Sequence, residues 1–258
     1  MKKFLITISI IAGVAILIFA ANVTAQYIKV KEVILTLHYQ SDDKMLTIEE
    51  INKDLIAHFG DFKGKKRKEI SVKEIVKYLN ALNFVYSSKA ELGILGKLEI
   101  NVVQSKPIAV LISKNKNHKY LSSDAKILQP VANVHQAKVI QINIPEIISK
   151  TVKDTTNNSL LVSVYKIASQ IYNNNSLKER INSINIKSNI IKKEKFFTYT
   201  LIPYKENYTI KLGDTTNIIN KLKRLEYLYK DTNISKEQWN KYSEISLIFH
   251  GQAVCTKR

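Results

Sequence analysis

The chain opens on a long apolar segment. From Phe4 to Ala21, 18 consecutive positions carry no charge. As a helix this run would span about 27 Å, close to the ~30 Å hydrocarbon core of a bilayer. Lys2 and Lys3 precede it, which favours a cytoplasmic N-terminus. Residues 1–25 are therefore predicted to be a short cytoplasmic tail and a single inner-membrane anchor, with the bulk of the chain in the periplasm.

A cleaved signal peptide is the alternative interpretation of the same segment. Val23, Thr24 and Ala25 are residues that a signal peptidase accepts before a cleavage point, here before Gln26. The apolar stretch is longer than the usual core of a signal peptide, and we therefore favour a retained anchor.

The next pattern predicts a small α+β domain over residues 26–105. Apolar and polar side chains alternate over 33–39, which is typical of a strand. Two amphipathic helices follow, the first beginning after Thr47 and the second after Ser71. A glutamate stands three residues after each of these two hydroxyl residues, which is the spacing of a capping box. A strand is predicted at Phe84–Leu92, and alternation returns at Leu98–Val102 after a glycine-containing turn, so the order is strand, helix, helix, strand, strand. The helices must cover one face of the sheet to bury their apolar stripes.

The pattern of apolar and polar residues predicts a larger mixed α+β domain over residues 106–254, followed by a short C-terminal tail at 255–258. Pro107 marks its start, since proline cannot donate to a strand ladder. The last predicted strand covers Ile245–Phe249 and continues through Gly251 to Val254. The other elements are predicted strands at 108–112, 139–143, 181–187, 196–202 and 207–212, and helices at 160–171 and 218–225.

The charge of the chain changes this picture little. The formal net charge is +18, yet arginine occurs only at Arg67, Arg180, Arg224 and Arg258, so lysine supplies 36 of the 40 positive charges. Sites that read phosphates or bases usually contain arginine, whose planar guanidinium binds them with two hydrogen bonds. We attribute the lysine excess to genome composition and predict no nucleic-acid partner.

Candidate catalytic chemistry is sparse. The seven glycines form no phosphate-binding loop, and the five histidines and single cysteine, Cys255, show no metal-ligand spacing. No Gly-x-Ser-x-Gly motif occurs. The sequence therefore predicts a protein that is not an enzyme, with no cofactor, metal or small-molecule substrate. Carboxylates distant in sequence can still meet in space, which leaves a hydrolase as the third candidate.

Several segments together resemble the FtsQ/DivIB cell-division family. Gly96–Ala109 resembles its hairpin strand running into a junction of a charged residue, proline, an aliphatic residue and alanine. Tyr120–Leu128 resembles its strand–turn–strand, with Ala125 where glycine is usual. Ile210–Gly213 and the helix after it resemble its strand–Leu-Gly–helix unit. The ending Gln252–Arg258 resembles members from the Bacteroidetes.

This resemblance implies a fold and a function. Residues 26–105 would be a POTRA domain, and residues 106–254 the family's β-domain with an open antiparallel edge. The protein would be a bitopic scaffold of the divisome, enriched at the division septum. It would bind FtsB/FtsL-like proteins and other divisome components, and link early to late division proteins.

The resemblance places the partner-binding edge on the last predicted strand, at Ser246, Leu247, Ile248, Phe249, His250 and Gly251. Phe249 stands where relatives carry an exposed aromatic side chain that packs against FtsB, and Ile248 replaces a basic residue. Core packing is the alternative, because alternation puts Ile245, Leu247 and Phe249 on one face of the strand.

A second function class also fits these patterns. A POTRA-like module with a basic surface could be a cell-envelope chaperone or transport component that binds extended peptides or anionic lipid. Capture of one stoichiometric coiled-coil partner would favour the division scaffold, whereas capture of many unfolded proteins would favour the chaperone.

Overall fold

The computed structural model describes residues 25–113, 118–130, 138–145, 158–191, 194–230 and 236–258, together with residues 13, 14, 16 and 23. The chain divides into two units, Met1–Ser105 and Lys106–Arg258.

The first unit is a small helix-covered sheet. Its elements are β1 Glu32–His38, α1 Ile48–Phe59, a 3-10 turn Arg67–Glu69, α2 Val72–Ala81, β2 Val85–Leu92 and β3 Lys97–Gln104. The three strands lie in the order β1-β3-β2, with β1 parallel and β2 antiparallel to β3. The predicted order of strand, helix, helix, strand, strand is therefore confirmed, whereas the POTRA assignment stays a prediction.

Local sequence explains where the helices of this unit begin. The Glu50 N–H donates to the Thr47 hydroxyl and the Thr47 N–H donates to the Glu50 carboxylate, which completes the predicted capping box. The Ser71 hydroxyl likewise accepts the Glu74 N–H at the start of α2. Apolar residues of both helices pack against the alternating positions of β3 in one core, namely Ile51, Leu55, Ile75, Leu79, Leu98, Ile100 and Val102.

The second unit is built on a nine-stranded mixed sheet. Its strands are β4 Pro107–Ser113, β5 His118–Ser122, β6 Ile127–Leu128, β7 Ile140–Ile144, β8 Ile181–Ile191, β9 Glu194–Pro203, β10 Thr209–Gly213, β11 Tyr242–Ser246 and β12 Val254–Lys257. Its helices are α3 Ser159–Tyr172, α4 Asn175–Arg180, α5 Ile218–Lys230 and α6 Lys236–Trp239. The strand order is β12-β11-β10-β9-β8-β7-β4-β5-β6.

The helices of the second unit share a single core with this sheet. Asn158 caps α3 by accepting the Leu161 N–H, and the apolar stripe of α3 is buried. The buried side of α5 includes Leu222 and Leu225. Both stripes pack with inward side chains of the sheet such as Leu201 and Ile245. The pairs β4–β7, β7–β8 and β10–β11 are parallel, and the other neighbouring pairs are antiparallel.

The membrane-spanning part of the predicted fold class is wrong. No helix of the described residues is both long and apolar enough to cross a membrane. The longest of them, α3, has 14 residues and reaches only about 21 Å, whereas a bilayer core is about 30 Å thick. The predicted single-pass inner-membrane location is corrected with it. The run Phe4–Ala21, on which both predictions rested, lies largely outside the described residues.

The end of the chain also differs from the prediction. A single strand from Ile245 through Phe249 to Val254 was expected, but β11 ends at Ser246 and β12 begins at Val254. The two strands pair antiparallel, so the residues between them form a turn. β11 consequently lies between β10 and β12, and β12 is the outermost strand on this side of the sheet.

Candidate partner-binding site

The six predicted site residues do not share one strand edge. Ser246 ends β11 and is buried, and Leu247 is fully buried in the core of the second unit. Ile248 is 49% exposed and Phe249 54% exposed, while His250 and Gly251 are also exposed. We call residues 247–253 the C-terminal turn; its first residue anchors it and the next four face solvent.

Two local features shape this turn. The Leu247 N–H donates to the Lys211 carbonyl over 2.9 Å, so the chain leaves the sheet only after this bond. Gly251 has φ +70°, a conformation that glycine adopts without strain and that lets the chain reverse toward β12. Alternation predicts a face only while the strand continues, and for this reason Phe249 is not in the core with Leu247.

Gly213, at the end of β10, brings the turn close to the sheet. A Cβ atom at this position would lie 3.0 Å from Cγ1 of Ile248, and the φ of Gly213 is +69°. Both the backbone conformation and the close approach favour glycine. Ile248 therefore packs over Gly213 and keeps about half of its side chain exposed.

Arg224 on α5 holds the C-terminal turn from the other side. Its Nη1 donates to the carbonyls of Phe249 and Gln252, both over 2.8 Å, and its Nη2 donates to the Leu247 carbonyl over 3.0 Å. Hydrogen bonds from a charged donor are stronger than those between neutral groups. The three bonds fix the backbone that carries Ile248 and Phe249, so those two side chains are presented in a defined position.

A cleft of about 610 Å³ separates the turn from the start of α5. It is lined by Ile248 and Phe249 of the turn and by Asp214, Lys221 and Arg224. The Lys221 ammonium is buried and bonds to the Asp214 carbonyl over 3.0 Å and to its carboxylate over 3.1 Å. The lining of the cleft therefore combines exposed apolar side chains with a fixed charge pair.

The electrostatic state of Asp214 follows from its partners. Burial raises the pKa of the carboxyl group, but hydrogen bonds from Lys221 and Thr216 outweigh burial and hold the pKa below its usual value. Asp214 is therefore ionised at neutral pH and compensates the buried ammonium of Lys221.

Replacing Asp214 by asparagine is expected to destabilise the second unit by about 1–2 kcal/mol, because the buried Lys221 ammonium group loses its charged partner. The loss stays this small because the Asp214 carboxylate is largely exposed, and solvent weakens the attraction between the two charges. The carboxyl pKa is lower in the folded state, so this stabilisation is present at neutral pH. It is lost as the pH falls through the folded pKa, below 3.8. Urea unfolding followed by Trp239 fluorescence from neutral pH to pH 3 measures the difference.

Lys221→Met provides the control for this pair. With the buried charge removed, Asp214→Asn should have almost no further effect on the urea midpoint. Equal destabilisation in both backgrounds would contradict the assigned pairing.

Strand β12 lies next to the turn and has only one neighbouring strand in the described sheet. It pairs with β11 in the register Ile245 to Cys255 and Glu244 to Thr256. The Cys255 side chain is half-buried against the core, and burial raises the pKa of its thiol. An edge strand carries unpaired backbone groups on its outer side, which another strand can complete.

Sequence reasoning missed two parts of this site, Arg224 and the separate strand β12. Arg224 is one of only four arginines in a lysine-rich chain, which was the one available signal. It acts on carbonyls 23–28 residues away, and no local pattern reports such a contact.

A larger cleft, of about 740 Å³, lies elsewhere in the second unit beside Tyr172. The ammonium groups of Lys106 and Lys178 lie over the Tyr172 ring, with their Nζ atoms 4.7 Å and 4.2 Å from its centroid. Cation–π attraction explains both lysine positions without a ligand. No group of three His, Cys, Asp or Glu side chains within the described ranges is placed to hold a metal ion.

Comparison with known families identifies the second unit. The family model described as FtsQ/DivIB, C-terminal related, matches residues 106–256, which is more than half of the chain and nearly all of this unit. Comparison with curated proteins finds no match. The matched family is one of division proteins rather than enzymes. The predicted resemblance is thereby confirmed, and the chain belongs to the FtsQ/DivIB C-terminal related family of cell-division proteins.

Proposed function

We propose that this cell-division protein is a scaffold that binds an extended segment of an FtsB/FtsL-like division protein along β12 and the C-terminal turn. Binding there would link early and late division proteins at the septum. The observation that carries the proposal is an edge strand, Val254–Lys257, continuous with the exposed side chains of Ile248 and Phe249.

Two physical effects, backbone pairing and apolar contact, support binding of a partner at this place. A partner strand added outside β12 would satisfy its outward backbone groups, which provides affinity with little sequence dependence. Ile248 and Phe249 would supply apolar contacts at one end of that strand, and aromatic anchors of this kind often dominate binding energy. Arg224 holds the turn in place before the partner arrives, so less conformational entropy is lost on binding.

Phe249→Ala tests the side-chain part of the proposal. Removal of an exposed anchor should weaken capture of the FtsB-like protein of the same organism by roughly 2 kcal/mol, or about 30-fold, with little change in thermal stability. Titration calorimetry and thermal melts measure the two quantities. Tyr204→Ala is the matched control, because Tyr204 is 55% exposed and does not line the cleft beside the C-terminal turn.

Amide exchange tests the backbone part. In the complex β12 would become an interior strand, so the amides of residues 254–257 should exchange more slowly than in the free chain. Normal binding by Phe249→Ala together with unchanged exchange in β12 would refute the proposed site. Capture of many unfolded proteins in place of one stoichiometric partner would point to a chaperone.

A further inference from the structure

The tip of the β2–β3 hairpin in the first unit carries two bare aliphatic side chains. Ile94 is 73% exposed and Leu95 is 77% exposed, between Gly93 and Gly96. Single exposed apolar residues are ordinary on protein surfaces, but two adjacent ones at the point of a hairpin form a small apolar prominence.

This prominence is held in place by the backbone around it. The Gly96 carbonyl accepts the Lys31 N–H over 2.8 Å, and the Gly93 N–H donates to the Lys97 carbonyl over 2.9 Å. Gly96 has φ +84°, and a Cβ atom there would lie 2.3 Å from the Lys29 carbonyl oxygen. The close approach requires glycine, so the hairpin tip is fixed against residues 29–31 and projects its two side chains from a firm base.

A basic surface adjoins the tip. Residues 26–31 run beside residues 64–68, since the Arg67 N–H donates to the Ile28 carbonyl over 2.9 Å and the Lys68 N–H to the Gln26 carbonyl over 3.1 Å. Two ammonium groups also lie over the ring of the exposed Tyr27, Lys68 at 4.4 Å and Lys66 at 5.8 Å. We call the cationic residues of segments 29–31 and 63–68 whose side chains are not taken up by the core the basic collar, namely Lys29, Lys31, Lys63, Lys66, Arg67 and Lys68. Lys65 is left out because its ammonium group donates to the Phe59 carbonyl.

Acidic residues near the collar reduce its positive charge but do not cancel it. Asp61 accepts the backbone N–H of Lys63, and Glu69 accepts the backbone N–H of Lys66. Glu99 pairs with Lys97, outside the collar, over 2.6 Å, and Glu32 begins β1. Glu91 lies in β2 just before the tip. With it included, these carboxylates are still fewer than the collar cations, so the surface keeps a net positive charge.

We propose that this hairpin tip and its basic collar dock reversibly on the surface of an anionic phospholipid bilayer. The aliphatic side chains of Ile94 and Leu95 would enter the interfacial region, and the collar would contact lipid phosphates. Each basic residue near such a surface contributes about fivefold in binding, and a tyrosine such as Tyr27 suits the headgroup level. The contact is peripheral and goes beyond the proposed binding of a division partner.

The chemistry of the collar favours lipid over other anionic surfaces. Five of its six cations are lysines, which act as point charges and suit a fluid layer of headgroups. Arg67, the single arginine, directs its guanidinium toward the Gly93 carbonyl. A nucleic acid would call for arginine forks and free aromatic platforms. Here the single arginine faces a backbone carbonyl, and two lysine ammonium groups already lie over the Tyr27 ring.

Vesicle binding by the full chain tests the proposal. Ile94→Ser/Leu95→Ser should bind equimolar phosphatidylcholine–phosphatidylglycerol vesicles at least about tenfold more weakly than the wild type. Ile190→Ser is the matched control, since Ile190 is 74% exposed in the second unit, and it should bind normally. Lys63→Gln/Lys66→Gln/Lys68→Gln should weaken binding and reduce its salt dependence. The apolar segment at the start of the chain is identical in all variants, so it does not produce these differences.

A probe at the tip separates lipid contact from other effects. An environment-sensitive dye on Leu95→Cys, in a Cys255→Ser background, should shift to the blue with the anionic vesicles but not with phosphatidylcholine alone. An unshifted dye, or equal vesicle binding by wild type and the tip variant, would overturn the proposal. Loss of binding to another division protein with unchanged vesicle binding would also overturn it, and would identify the tip as a protein contact.

Discussion

Replacement of Gln104 by leucine is expected to destabilise the first unit by about 3–5 kcal/mol, since three backbone groups lose a hydrogen bond at buried or partly buried positions. Gln104 is completely buried at the end of β3. Its Oε1 accepts the N–H groups of Met45 and Leu46 over 2.6 and 2.9 Å, and its Nε2 donates to the Asp43 carbonyl over 2.7 Å.

One amide side chain thus satisfies three backbone groups of the segment that leads into α1. Leucine has a similar volume but offers neither donor nor acceptor, so the expected loss comes from unpaired polar groups rather than from a cavity. The segment 43–46 would detach first, and Met45, which is buried, would lose its place in the structure.

Amide exchange of the full chain measures this loss unit by unit. Exchange in α1 should accelerate by more than about 100-fold in Gln104→Leu. Trp239 is the single tryptophan and lies in the second unit. The urea unfolding of that unit, followed by Trp239 fluorescence, should remain unchanged and serves as an internal control. Asn101→Leu, at an exposed position of the same strand, should behave like the wild type. Equal protection in both variants would show that Gln104 does not hold the segment.

Replacement of Arg224 by methionine is expected to cost about 2–4 kcal/mol in the second unit, because hydrogen bonds to a charged group each contribute about 1.5–3 kcal/mol and these are partly exposed. The carbonyls of Leu247, Phe249 and Gln252 would lose their shared donor. The C-terminal turn would become mobile, and partner capture should weaken even though Phe249 itself is unchanged.

Two further variants identify the cause of this effect. Arg224→Lys keeps the charge but lacks the planar fork that reaches three carbonyls, so it should resemble Arg224→Met. Lys223→Met removes one positive charge from an exposed neighbouring position of α5 and should be nearly neutral. Urea unfolding followed by Trp239 fluorescence and amide exchange over 247–252 measure the result. Full rescue by lysine would mean that charge, not geometry, holds the turn.

The sequence predicted those elements whose signals are local. The cap of α1 depends on Thr47 and Glu50, three residues apart, and both of its hydrogen bonds form. The alternation at Leu98, Ile100 and Val102 predicted one buried face, and all three side chains are fully buried. Positions within a turn of helix or along one strand meet whatever the rest of the fold does, so their spacing is informative by itself. The order of such segments was also sufficient to identify the family.

The candidate site shows where local patterns end. Alternation continued from Ile245 to Phe249 in the sequence, but Leu247 is in the core and Phe249 faces solvent because the chain leaves the sheet between them. The outermost strand on this side of the described sheet is β12, and no spacing in a single segment indicates which strand will have only one neighbour.

By itself, the sequence determined the helix starts, the alternating strands and the family of this protein. The tertiary structure alone decided how distant residues combine. Gln104 reaches Met45 across 59 residues, and Arg224 reaches the Gln252 carbonyl across 28. Such pairs form only after the sheet brings separate segments together, because the free energy of each contact depends on the burial and geometry that the assembled fold creates.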